Sequence, residues 1–173
     1  MLSKISSFKE PISTVSNILY PIIGIFSPAH VVVALSMTLL GAASGWYHAT
    51  KKRMAQDWDI RCIYLTFNAF IAAATGLWVW MGIITGIMWV LKTHINSLIA
   101  IGLQVVALIL LVGAGPWLVW MAAGAVFNAP FLFTERVERW LGRTIPAWAI
   151  DFMHALWHVC TSIGMGWLIL RIV

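Results

Sequence analysis

Charge is what this chain has least of. Only 10% of its 173 residues are charged and 61% are hydrophobic, whereas soluble domains carry roughly a quarter charged residues. That scarcity excludes an ordinary soluble domain. The long apolar runs then favour helices over a barrel, because every backbone polar group in lipid must be satisfied internally. The net charge of +5 is no nucleic-acid footprint; it has to be read by position relative to a membrane. Cysteine is scarce too. Cys62 and Cys160 fall in apolar helical stretches and read as buried free thiols rather than a disulfide. No A-x-A-like site follows the first apolar run, so no cleavable signal peptide is expected.

Turn formers and charges cut what is there into apolar pieces. The first covers about residues 12–27, broken by Pro21 and closed by Ser27-Pro28. The second is 29–48, ending at Lys51-Lys52-Arg53. Residues 60–95 suit two short spans turning near Gly76, with one long tilted helix over 60–91 as the alternative. Residues 97–133 hold two more, turning at Gly113-Ala-Gly-Pro116. The polar stretch Thr134 to Arg143 follows, with Glu135, Arg136, Glu138 and Arg139 in a solvated, partly helical loop, and the last span is about 147–171. The sum is a single all-α domain over 1–173, a seven-transmembrane-helix bundle with several spans near the lower limit of ~17 residues.

Sidedness follows from lysine and arginine. On the seven-span reading one face holds Lys4, Lys9, Lys51, Lys52, Arg53, Arg61, Lys92, Arg136, Arg139 and Arg143, and the other holds only Arg171. Ten against one places the N-terminus in the cytoplasm, of a bacterial inner membrane or an endomembrane, and the C-terminus outside. The eleven tryptophans serve mostly as interfacial anchors and packing.

Against this background two windows stand out: Ser44-Gly-Trp-Tyr-His48 and His154-Ala-Leu-Trp-His158. Spacing of i,i+4 puts both members of each pair on one helix face, and polar side chains inside a membrane span are costly and usually functional. Both windows sit toward the cytoplasmic face, and His154 and His158 lie roughly 10–17 Å along the last span at 1.5 Å per residue. Three neutral imidazoles with one open position are what a catalytic zinc needs. Zinc lowers the pKa of a bound water toward ~7 and makes hydrolysis possible near neutrality. The helix lacks the glutamate of His-Glu-x-x-His proteases, so the base must come from elsewhere. Asp57 and Asp59 open span three, and either can orient or deprotonate the water; Asp57 also reads as a plain loop carboxylate beside the basic cluster. Ser44 can hydrogen-bond the oxyanion or the water. Asp151, i−3 to His154, is a candidate for holding a histidine tautomer. His30 and His94, isolated at loop edges, read as exposed or as simple helix–helix hydrogen bonds.

These residues resemble the alkaline ceramidase family, within a superfamily of seven-span hydrolases that includes the adiponectin-type receptors. The superfamily pattern is Ser-x3-His at the end of span two, Asp at the start of span three and His-x3-His in span seven. Here these are Ser44, His48, Asp59, His154 and His158. Gln56 three residues earlier favours Asp59 over Asp57. Met153 to Thr161 is similar to the family's His-Ala-Trp-Trp-His-x-x-Thr run, and Glu10 to Asn17 to its Glu-x-x-Asn-Thr-x-Ser-Asn signature, with Ser13 at the first Asn. The resemblance implies that His48, His154 and His158 bind Zn2+, that Asp59 acts on the water, and that Ser44 assists the oxyanion. It implies hydrolysis of the amide of a ceramide-like N-acyl lipid, a membrane-resident substrate entering sideways from the bilayer. Animal members bind calcium through an acidic segment before span one; the nine residues before Glu10 contain no acid, which argues against a Ca2+ site. The chain is shorter than typical members, and its charge bias puts the site on the cytoplasmic side, as in the receptor-type members. Two rival readings remain: a receptor-like or structural protein in which zinc only staples spans together, and a metal or proton transporter. The transporter would need polar lining in both membrane halves, where spans four to six offer little beyond Gln104 and Asn128.

Overall fold

A computed structural model describes residues 9–25, 30–91 and 97–172; Lys4, Lys92 and His94 lie outside them. The described residues form helices joined by turns, without strands. In chain order the helices are α1 (Pro11–Ser16), α2 (Leu19–Ile25), α3 (Val31–Thr50), α4 (Arg53–Thr75), α5 (Trp78–Leu91), α6 (Ser97–Val112), α7 (Pro116–Leu132), α8 (Thr134–Leu141) and α9 (Ala147–Ile172). The expected turns fall where expected: Gly76 and Gly113 end α4 and α6 with φ of 72° and 78°, a left-handed conformation that glycine adopts without a Cβ penalty. The long-helix alternative for 60–91 is thereby excluded.

Two expected boundaries move. The first apolar piece breaks at Asn17 and Ile18, not at Pro21, which sits in the first turn of α2, where a missing N–H costs nothing. Helix α4 begins at Arg53 rather than near residue 60, so Asp57 and Asp59 stand on a helix and not in a loop. The polar stretch after α7 forms the short helix α8, ended by Gly142.

Helices α3 and α9 are long and apolar enough to cross a membrane, and α7 with α8, bent by 71°, would make a third. Among the described residues, by length and apolarity, that is two or three crossings, short of the seven expected. The segments Pro11–Ile25, Trp78–Val90 and Ile99–Val112 are apolar but shorter. Helix α4 carries Arg53, Asp57, Asp59 and Arg61 in its first turns.

The centre of the bundle is α9, packed on α7, on α1 and on α2, with α3 between α2 and α4. Its core joins Met37, Phe70, Leu108, Trp117 and Leu168, all buried. Small residues let the backbones close up, as in membrane helix pairs generally. A Cβ on Gly41 would stand 2.7 Å from the Asn17 carbonyl oxygen and 2.7 Å from Pro21 Cδ, and one on Gly164 3.0 Å from the Trp117 carbonyl oxygen. The first approach presses the α1–α2 segment onto α3. That contact is what brings residues 10–16 within reach of both histidine windows.

Candidate metal centre

His48, at the end of α3, meets His154 and His158 on α9. Their ligand nitrogens all lie within 4.8 Å of one another, and all three residues are buried. Both windows therefore lie at one depth of the bundle, as the sequence suggests. The i,i+4 spacing gives α9 its share; His48, at the C-terminal end of α3, reaches the first half of α9 and supplies the third ring.

Each ring is held by its far nitrogen. His48 Nδ1 bonds Glu10 Oε2 at 2.5 Å, His154 Nδ1 bonds Asn128 Oδ1 at 2.7 Å, and His158 Nδ1 bonds Ser16 Oγ at 2.8 Å. The carboxylate and the amide oxygen can only accept. Ser16 gives its single hydroxyl hydrogen to the Ser13 carbonyl at 2.9 Å, so it too accepts from the ring. All three neutral rings thus carry their hydrogen on Nδ1 and present a bare Nε2 to the centre. The Nε2 atoms of His48 and His154 approach to 3.2 Å, a separation that a shared cation would satisfy. Tetrahedral zinc with nitrogen at 2.0–2.1 Å sets ligand nitrogens about 3.3–3.4 Å apart. The one separation of 3.2 Å is near that value, and the donor set as a whole, with its ligand nitrogens within 4.8 Å and its outer hydrogen bonds, could hold a metal ion.

Glu10 is the partner that residue chemistry alone does not reveal. Its other oxygen pairs with Lys51, and both side chains are almost wholly buried. Lys51 closes α3 with φ of 54°, a conformation costing a non-glycine residue about 1–2 kcal/mol. Its ammonium lies 4.6 Å from the Tyr47 ring centroid. Burial pulls the Lys51 pKa below its ordinary value, and the Glu10 carboxylate opposes that. Glu10 is thus engaged by a histidine and a lysine. Ser16 stands at the serine of the signature that Glu10 to Asn17 resembles, whereas Asn128 carries no sequence signal beyond its polarity.

Ser44, His48, Asp59, His154 and His158 line one cavity of about 310 Å³. Ser44 and Asp59 share the wall of this cavity, and the Asp59 Oδ1 is buried and has no hydrogen-bond partner. Asp57 does not line the cavity. No family model matches the chain, and no curated protein matches it. What the centre can do must therefore be read from its own residues.

Asp151 is corrected. It does not hold a histidine tautomer; Asn128 does that for His154. Its carboxylate accepts the Ile12 amide at 3.0 Å and the Ser13 amide at 2.9 Å, as well as the Ser13 hydroxyl at 2.6 Å. It caps the N-terminus of α1 from across the bundle, because the α9 face it shares with His154 is covered by α1. His30, by contrast, is half-buried with its ring 6.2 Å from that of Trp78. Cys62 and Cys160 are free and buried.

Beyond the histidines the cavity is apolar for most of its length. Leu40, Ile60, Ile63, Phe67, Met121 and Met165 contribute to its walls, a lining suited to hydrocarbon.

Proposed function

We propose that this protein is a seven-span, zinc-dependent hydrolase of the alkaline ceramidase kind, cleaving the amide of a ceramide-like N-acyl lipid and releasing a fatty acid. The observation that carries the reading is the set of three imidazoles with Nδ1 committed outward and Nε2 converging, in one cavity with a serine and a carboxylate. Hydrocarbon walls on that cavity support a lipid rather than a polar substrate. The shorter apolar helices are counted as spans on this reading, with the N-terminus and the centre on the cytoplasmic side as the lysine and arginine bias suggests.

Bound in this centre, zinc would supply Lewis-acid polarisation and an acidified water near neutral pH. The chain's own groups do the remaining work. Asp59 Oδ1, without a protein partner, takes the proton of the attacking water and returns it to the departing amine nitrogen. Ser44 donates its hydroxyl to the Asp59 carboxylate or to the developing oxyanion. Leu40, Ile63 and Phe67 hold the acyl chain beside the centre and exclude bulk water. Glu10, Asn128 and Ser16 keep the rings in one tautomer.

The test is fatty-acid release from N-acyl lipids by purified protein, before and after chelation and after return of Zn2+. Release that stops on chelation and returns with zinc is expected. Bound zinc that stabilises the protein while no N-acyl lipid is turned over would instead favour the stapling role.

A further inference from the structure

Two of the three rings depend on the same short segment. Glu10 precedes α1 and bonds His48; Ser16 ends α1 and bonds His158. Six residues of helix are far too few to be stable alone, since isolated helices shorter than about 12–15 residues are marginal in water. Something outside must hold α1 in register, and at its N-terminus that is Asp151. The N-cap residue Glu10 makes no side-chain cap, because its carboxylate is turned to His48 and Lys51. The free amides of the first turn are taken instead by the Asp151 carboxylate, at 3.0 and 2.9 Å, with the Ser13 hydroxyl at 2.6 Å. Ser13 also meets the Asp151 carbonyl oxygen at 3.1 Å. Asp151 is buried, one turn before His154 on the helix that carries two of the ligands.

We infer that Asp151 is a positioning residue for the metal centre. Its carboxylate is taken up by the first turn of α1. By docking α1 onto α9 it fixes the two partners, Glu10 and Ser16, that orient one ring on α3 and one on α9. Metal binding and docking of α1 are then linked, and by reciprocity each stabilises the other to the same degree. The inference rests on the metal reading of the three histidines.

The experiment compares full-length wild type with Asp151→Ala, Asp151→Asn and Ser13→Ala. Zn2+ affinity is measured by competition with a chromophoric chelator, and amide hydrogen exchange is followed over residues 10–16 with and without Zn2+. Loss of an outer partner of a metal ligand costs about 10–100-fold in affinity. Asp151→Ala is expected to fall in that range. Asp151→Asn, which keeps one accepting oxygen, should lose less, and Ser13→Ala, which keeps both backbone amide bonds, least. In wild type, zinc should slow exchange over 10–16, and Asp151→Ala should reduce that protection. If Asp151→Ala fails to fold, the graded pair of Asn and Ser13→Ala decides. Wild-type zinc affinity in every folded variant would overturn the inference and leave the metal reading standing. Failure of wild type to bind zinc would overturn both. Reduced thermal stability with unchanged affinity and unchanged zinc-linked protection would mark Asp151 as an ordinary cap, and also overturn it.

Discussion

Helices α3 and α9 and the pair α5–α6 draw on the same apolar alphabet, yet they bury different things. Helix α9 buries Asp151, His154, His158, Thr161 and Ser162, and α3 buries Ser36, Ser44 and His48. Helix α5 packs on α4 and turns Trp80, Ile83, Ile87 and Val90 outward. The glycines mark the same contrast. Gly41 and Gly164 sit where a methyl would strike a neighbouring backbone, while Gly82, Gly86 and Gly102 have nothing within 4 Å. A buried polar side chain needs a partner within about 3 Å, and close approach of backbones helps bring partners on other helices that near. The centre is built where close packing allows it, and α5 is left with an exposed apolar face.

That contrast can be broken most severely at the centre. His158→Ala should abolish detectable zinc binding, a loss of at least about 100-fold given what weaker outer contacts cost, as metal analysis after dialysis would show. Asp59→Asn should keep the zinc but lower fatty-acid release about 10²–10⁴-fold. Unchanged turnover there would remove Asp59 from its assigned role. A smaller effect sharpens the packing side of the comparison. Gly41→Ala should destabilise by about 1–3 kcal/mol through overpacking, whereas Gly86→Ala should be neutral or gain up to about 1 kcal/mol of helix propensity. Thermal melts in one detergent compare them directly, and equal shifts would contradict the packing argument. The smallest effect belongs to the outer helices' own polar link. Gln104 donates to Asn68 Oδ1 at 2.7 Å and to the Tyr64 carbonyl at 3.2 Å, and Asn68 donates to Thr85 at 2.8 Å. Gln104→Leu should cost about 0.6 kcal/mol, the average for such bonds between membrane helices, and leave zinc affinity untouched. A change in zinc affinity would show that the two regions are coupled.

Much of the element order was legible, because Gly76, Gly113 and the charge clusters interrupt long apolar runs and an interruption is a local signal. The three ligand histidines were legible for a similar reason: i,i+4 spacing fixes a shared face whatever the helix packs against. Their outer partners were not. Glu10 is 38 residues from His48, Asn128 is 26 from His154, and Ser16 is 142 from His158. Nothing in local spacing pairs residues so far apart. The i−3 relation of Asp151 to His154 was read correctly as a common face, but which element covers that face is a matter of packing, and it proved to be α1.

The sequence by itself determined an apolar, helical chain with three histidines and two carboxylates set near the ends of helices, since composition and period act residue by residue. The tertiary structure decided how they act together. The meeting of the α3 end with α9 gathered the rings, Gly41 let the α1–α2 segment come close enough to α3 for α1 to hold two of them, and a place on the cavity wall separated Asp59 from Asp57. Those are contacts between distant segments, and only the packed bundle brings distant segments within hydrogen-bond range.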